Sequence, residues 1–211
     1  EELPTDVRAL LAALEAQWQE IASEGAHAAA RRQFALTDEN LAETRSHWRK
    51  LDLRKRGEAV EKHCLLTPAT CRLLEAHAAV ISPLGQCKFS SFEGGSRIFP
   101  HAGPTDGRLR LHLGLYVPEA GFVITVDGVN ATWSEGRVLA LDDSLEHEVV
   151  APPAAGVPSV RIILIVDVHH PDLQVREREE TRALDARGSV GAPASSGIGR
   201  GDDSNTHPRG R

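Results

Sequence analysis

Phe99-Pro-His101-Ala-Gly-Pro-Thr-Asp-Gly-Arg108-Leu-Arg110-Leu-His112-Leu-Gly-Leu115 is the stretch on which the reading of this chain turns. From Arg108 to Leu113 polar and leucine positions alternate strictly. A period of two belongs to a strand, and it puts Arg108, Arg110 and His112 on one face and the leucines on the other. Working outward, Lys88-Phe89-Ser90-Ser91-Phe92 is strand-like, with Lys88 and Ser90 sharing a face, and it soon meets Gly94-Gly95. Phe122 to Val126 is a strand run followed by Asp127-Gly128, a hairpin signal. Arg137 to Leu141 and Val160 to Val168 are further strands. Short strands at this spacing predict a double-stranded β-helix, a jelly-roll or cupin-like core, over residues 85–173.

The N-terminal third reads differently. Val7, Leu10, Leu11, Leu14, Trp18 and Ile21 recur at helical spacing, so residues 5–25 are expected to form one amphipathic helix, capped by Thr5 or Asp6 after Pro4. Residues 29–63 are polar and charged, with Trp48 and Leu51 as anchors. Thr67-Pro68 opens a short helix, with Thr67 as N-cap and Pro68 at the first helical position. The fold class is thus mainly β with N-terminal helices. Residues 1–84 are expected to pack on the barrel as part of one catalytic domain. Residues 174–211 are nearly free of large apolar side chains and are expected to be a disordered tail.

Composition narrows the partners. A formal charge of −6 over 211 residues provides no basic excess for a nucleic-acid partner. No run approaches the length of apolar sequence that spans a bilayer, and no signal peptide is visible. The absence of methionine suggests a fragment, so a membrane anchor or targeting segment could lie upstream. Three cysteines, Cys64, Cys71 and Cys87, leave at least one unpaired. A turn around Thr67-Pro68 could bring Cys64 and Cys71 together. Asn130-Ala131-Thr132 fits a glycosylation sequon. Together these lean toward an oxidising, lumenal compartment.

The chemistry lies with two of the ten histidines. His101 and His147 sit far apart in sequence beside strand-like runs, as suits a metal held inside a barrel. His169-His170 does not, because neighbours in a strand point to opposite faces. Arg161, in the apolar run Val160 to Val168, needs an anionic partner: a carboxylate such as Asp167, or a bound acid. Lys88, Arg108, Arg110 and Arg161 with two imidazoles inside a barrel call for anions, which a dicarboxylate and an acidic substrate would supply. The bland alternative has Arg108 and Arg110 facing solvent.

The segments Phe99 to Leu115, Leu141 to Val149 and Arg161 to Pro171 resemble the aspartyl/asparaginyl β-hydroxylase family, and the resemblance runs over about residues 8–173. It takes in Asp38-Glu39-Asn40-Leu41 and the Cys64/Cys71 spacing. It implies an Fe(II)- and 2-oxoglutarate-dependent dioxygenase that hydroxylates the β-carbon of Asp or Asn, with EGF-like domains as protein substrates. It implies that His101 and His147 bind iron, and that Ser90 and Arg161 hold the distal carboxylate of 2-oxoglutarate. Arg110 and His112 would lie near its metal-binding end, and Lys88, Arg108 and Glu39 would face the substrate. Many relatives of this barrel have a carboxylate ligand two residues after the first histidine. Here that residue is Gly103, and the resemblance has water in its place, ordered by Asp143. It also implies a Cys64–Cys71 disulfide with Cys87 free. An arginine that the family has after Glu-Asn-Leu is Ala42 here, with Arg45 nearby, which leaves the substrate less defined than the cofactors. Two other readings stand beside it: a lipid A acyl-chain hydroxylase of the same family, and a non-catalytic binding barrel. The location would be the endoplasmic reticulum lumen or membrane in a eukaryote, the cytoplasm in a bacterium.

Overall fold

The computed structural model describes residues 3–119, 121–153 and 159–173. In chain order these form strands β1 (Ala35–Leu36), β2 (Trp48–Lys55), β3 (Glu58–Ala59), β4 (Gln86–Glu93), β5 (Ser96–His101), β6 (Arg108–Tyr116), β7 (Val123–Val126), β8 (Val129–Ala131), β9 (Val138–Leu141), β10 (His147–Ala151) and β11 (Val160–His169). The strand runs expected from the sequence around β4, β6, β7, β9 and β11 all form. From β4 onward the strands are divided between two antiparallel sheets. The larger has the order β1-β2-β4-β11-β6-β9, with β3 beside β2; the smaller is β5-β10-β7-β8. This is the double-stranded β-helix. The hairpin between β7 and β8 turns at Asp127 and Gly128, with φ of 46° and 77°. Both central residues are left-handed, as a two-residue hairpin turn of this hand requires.

Alternation gives the large sheet two unlike faces. Its outer face presents Leu51, Phe89, Leu111, Leu113, Leu164 and Val166, all buried under helices. Those helices are α1 (Thr5–Ala16), α2 (Trp18–Ala30) and α4 (Pro68–Ala76), which bury Leu10, Leu14, Ile21, Leu73 and Leu74 on the same core. Each such side chain contributes roughly 1.5–3 kcal/mol when it leaves water. The inner face meets the small sheet across a second core built on Trp48, Phe92, Phe122, Trp133, Ile163 and Ile165.

Three expectations need correction. The helix expected over residues 5–25 is two helices, α1 and α2, divided at Gln17. α1 ends against β9, where Glu15 accepts the Val138 N–H at 2.9 Å, and α2 then turns to follow β6 and α4. Neither Thr5 nor Asp6 is the N-cap; Pro4 is, with no side-chain cap. Thr67 does hold the N-cap position of α4, but its hydroxyl bonds back to the His63 carbonyl. Glu24, from α2, caps α4 instead, accepting the Ala69 and Thr70 N–H groups at 2.7 and 2.9 Å. Finally, the polar stretch 29–63 contains β2, a strand of eight residues that pairs along β4. The sheet therefore begins well before residue 85.

A disulfide joins Cys64, at the end of α3 (Glu61–Cys64), to Cys71 on α4, with Cα atoms 5.5 Å apart. Cys87 is free, buried in the outer core, and burial pushes its thiol pKa up. No helix among the described residues is long and apolar enough to cross a membrane. The tail expected to be disordered, 174–211, lies outside the described residues.

Candidate active site

Strand register builds the site. On β11, Arg161, Ile163, Ile165 and Asp167 share the inner face by alternation. Ser90 of β4 stands opposite Ile163, and Lys88 opposite Ile165. His112 of β6 stands opposite Ile165, and Arg110 opposite Asp167. Facing them from the small sheet, His101 of β5 and His147 of β10 are register partners. Residues spread from Lys88 to Asp167 thus converge because β4, β11 and β6 carry polar groups in phase and β5 and β10 bring the histidines opposite them.

The two histidines have ring centroids 4.2 Å apart, tilted by 54°. The Nδ1 of His101 lies 2.8 Å from the Phe99 carbonyl and that of His147 lies 2.9 Å from the Leu145 carbonyl. A carbonyl only accepts, so each Nδ1 carries the proton and each Nε2 presents a lone pair. This is the arrangement that fixes ring orientation and tautomer in metal-binding histidines. Burial lowers the His147 pKa, which keeps the ring in the neutral, ligating form. Among the described residues no group of three or more His, Cys, Asp or Glu side chains is placed to hold a metal, so the described part of the protein could offer a metal only the two histidines here. Gly103 explains why it offers no third. A Cβ at this position would stand 2.6 Å from Asp143 Oδ2 and 2.9 Å from the Asp143 carbonyl oxygen. The space a side chain would need at 103 is taken by Asp143.

Deeper in the barrel lies a box of unmet donors. Arg161 is only 2% exposed, and its guanidinium lies 4.1 Å from the Trp133 ring centroid, with Phe92 and Phe122 at 5.8 and 5.9 Å. Its Nε and Nη1 have no hydrogen-bond partner. Burial pushes its pKa down to about 9, so it still carries its charge at neutral pH. Trp133 Nε1–H donates to His112 Nδ1 at 3.2 Å, so the proton of neutral His112 is on Nε2, which is buried and unpaired. Burial, reinforced by Arg110 and Arg161, holds His112 well below the ordinary histidine pKa. The hydroxyl of Ser90 accepts from Trp48 Nε1–H at 3.1 Å, leaving its own proton to donate. Buried donors left unmet are costly, and a guanidinium most of all. A carboxylate would satisfy them.

The remaining cations are already partnered. Asp143, fully buried, accepts from Arg108 Nη2 at 2.9 Å and pairs with Arg110 Nη1 at 3.0 Å. Asp167, also fully buried, takes Arg110 in a two-pronged grip at 2.7 and 3.0 Å, and also accepts the Gln86 N–H. Burial raises the Asp167 pKa, but Arg110 and Arg108 outweigh it and hold the group below the usual carboxylate range. Lys88 pairs with Glu39 at 3.0 Å. Of Lys88, Arg108, Arg110 and Arg161, the first three are therefore paired with Glu39, Asp143 and Asp167, and Arg161 keeps nitrogens without a partner among the described residues. The sequence reading assigned the neutralising anions to ligands; the fold supplies three of them itself. Arg108 and Arg110 do not face solvent, and Asp167 partners them rather than Arg161.

A cleft of about 1000 Å³ opens over the histidines. Glu39, Lys50, Lys55, Arg108, Arg110 and Asp143 also line it. Ala42 bridges to Ile98 of β5, so the segment around it runs along the small sheet. Asp167, named from sequence as a candidate partner for Arg161, is present on the inner face but takes Arg110 instead. Trp133 was missed, because nothing local shows which strand its ring will cover. His169 is buried and His170 partly so, consistent with their opposite faces. The sequon residue Asn130 is exposed on β8.

A family model described as aspartyl/asparaginyl beta-hydroxylase matches residues 15–171. The chain is 39% identical over 178 residues to the aspartyl/asparaginyl beta-hydroxylase of Mus musculus, covering 83% of this chain. It spans only 23% of that relative's length. It is also 34% identical over 137 residues to an ornithine lipid ester-linked acyl 2-hydroxylase of Rhizobium tropici, covering 64% of this chain and 46% of the relative. Among solved structures, a Pseudomonas putida prolyl-4-hydroxylase overlaps 72% of this chain and 87% of its own, at 12% identity and a TM-score of 0.44.

Proposed function

The chain belongs to the aspartyl/asparaginyl β-hydroxylase family, and from that premise we propose that it is an Fe(II)- and 2-oxoglutarate-dependent dioxygenase acting on the β-carbon of Asp or Asn in a polypeptide, with EGF-like domains as substrates. One observation carries the reading. Two imidazoles with free Nε2 atoms stand on one sheet, and across the barrel a buried guanidinium and a buried imidazole keep donors without partners. The donor set fits both cofactors: neutral imidazoles for iron(II), and Arg161, Ser90 and His112 for a carboxylate of 2-oxoglutarate.

Bound together with dioxygen, iron(II) and 2-oxoglutarate supply an oxidant that replaces a C–H hydrogen by hydroxyl, with release of succinate and carbon dioxide. The protein's part is positioning and exclusion. Carbonyls of Phe99 and Leu145 hold the histidine rings in the ligating tautomer. Trp133 packs against the Arg161 guanidinium and sets the tautomer of His112, and donors on both are left without a protein partner among the described residues. Asp143 binds Arg108 and Arg110 and fills the volume beside Gly103, which leaves that side of the histidine pair without a protein ligand. Glu39 and Arg108 line the cleft in which the substrate would lie, with Lys88 buried behind Glu39 and paired to it. An oxidising, lumenal location suits the same reading, on the Cys64–Cys71 disulfide and the exposed Asn130.

The test is succinate release from 2-oxoglutarate with iron(II), measured with and without an EGF-like peptide. Stimulation by the peptide, with a mass gain of one oxygen atom on its Asp or Asn, is the expected result. Stimulation only by an acylated lipid overturns the polypeptide substrate. No iron-dependent succinate under either condition overturns the enzyme.

A further inference from the structure

Beside the cleft lies a second recess of about 410 Å³, lined by the Phe34–Leu36 segment, β2 and α3. It shares Asp38, Lys50 and Lys55 with the cleft, so the two lie side by side. Four cations line it, Arg32, Lys50, Lys55 and Lys62, against two carboxylates, Asp38 and Asp52. That local excess of two positive charges stands on a chain whose net charge is −6. Internal pairing uses part of it: Lys50 contacts Asp38 at 2.7 Å, and Lys55 contacts Asp52 at 2.9 Å. Arg32 and Lys62 are exposed at the rim and outnumber the carboxylates left to them. A polypeptide laid through the recess brings what the rim cations lack, an acidic side chain.

We propose that this recess is a subsite for an acidic side chain of the polypeptide substrate, on the segment flanking the residue that reacts in the cleft. The proposal rests on the polypeptide reading above. It adds a second charge requirement away from the histidines, set by Arg32 and Lys62. Such a requirement selects among substrates through encounter and affinity more than through the chemical step. It weakens with salt, because the rim cations are exposed.

The experiment uses two fluorescently labelled peptides with the same reacting residue, one with Asp and Glu in the flanks and one with Asn and Gln there. Direct binding to the full chain is followed by anisotropy, and turnover by succinate release. The acidic peptide is expected to bind about five- to tenfold more tightly at low ionic strength, a preference that fades in high salt. In the Arg32→Glu/Lys62→Glu protein the preference is expected to vanish or invert. Arg32→Gln and Lys62→Gln, tested singly with the thermal midpoint as a fold check, are each expected to remove part of it. Equal affinity for the two peptides in the wild type overturns the subsite. So does a preference that survives charge reversal. Charge-dependent binding without any succinate release keeps the subsite and overturns the dioxygenase reading instead.

Discussion

The two faces of the large sheet are made by the same strands, yet they do opposite work. On the outer face β4, β6 and β11 present Phe89, Leu111, Leu113, Leu164 and Val166 to helices, and the interaction is dry and non-directional. On the inner face the same strands present Lys88, Ser90, Arg110, His112, Arg161 and Asp167, each of which depends on a particular partner. The outer face supplies stability by area. The inner face spends it: buried ion pairs do little better than break even, and an unpartnered guanidinium costs more than it returns. The difference teaches where function resides. A barrel can keep costly polar groups inside because its other face is anchored by a conventional apolar layer.

Substitutions on the two faces should therefore separate. The largest effect is expected from His147→Ala, which removes one of the two proposed iron ligands. Iron-dependent succinate formation should fall by about two orders of magnitude or more, with little change in thermal midpoint. Activity within tenfold of wild type would remove the metal from this face. Leu164→Ala, on the outer face, should lower unfolding free energy by about 2–5 kcal/mol in urea titrations. The affinity of the folded protein for 2-oxoglutarate should hardly move; a parallel loss of affinity would mean the faces are not independent. Arg161→Lys keeps the charge and loses the planar fork. It should weaken 2-oxoglutarate binding by one to two orders of magnitude, about 1.5–3 kcal/mol, with peptide affinity much less changed. Unchanged 2-oxoglutarate affinity in a direct titration would make Arg161 a structural residue.

The smallest effect sharpens the contrast through pH. His112 is buried neutral, with its pKa in the folded state well below the ordinary histidine value. Below that ordinary value, near pH 6.5, the unfolded chain binds a proton that the folded chain does not. Stability must then fall as pH falls, by up to about 1.4 kcal/mol per pH unit for this one group. Unfolding free energies at pH 7.0 and 5.5 should show the slope, and a His112→Asn protein should have a shallower one. Equal slopes would mean that His112 takes up its proton in the folded state.

Much of this was open to reading along the chain. The alternation of Arg108 to Leu113 is a local property, and it held in β6. Asp127-Gly128 announced its turn through the backbone angles it tolerates. The long motifs around His101, His147 and Arg161 carried the family resemblance, and the Cys64–Cys71 bridge came with it. The helix of residues 5–25 was read correctly in period and wrongly in continuity, because nothing local separates one long amphipathic helix from two that turn to follow different parts of a sheet. β2 was passed over because its inward Lys50 and Asp52 look like surface residues until a neighbouring strand buries them.

Sequence alone determined the strands β4, β6, β7, β9 and β11, and the residue types on their faces, since period and residue type are properties of the chain itself. Only the tertiary structure decided the pairings. Arg110 meets Asp167 because β6 and β11 lie in one register, and both arginines meet Asp143 because it lies between the two sheets beside Gly103. Arg161 keeps two nitrogens without a partner because Asp143 and Asp167 bind Arg108 and Arg110 while three aromatic rings close around it. Which charge remains unpaired in a barrel depends on every strand register at once, and no window of sequence contains that sum.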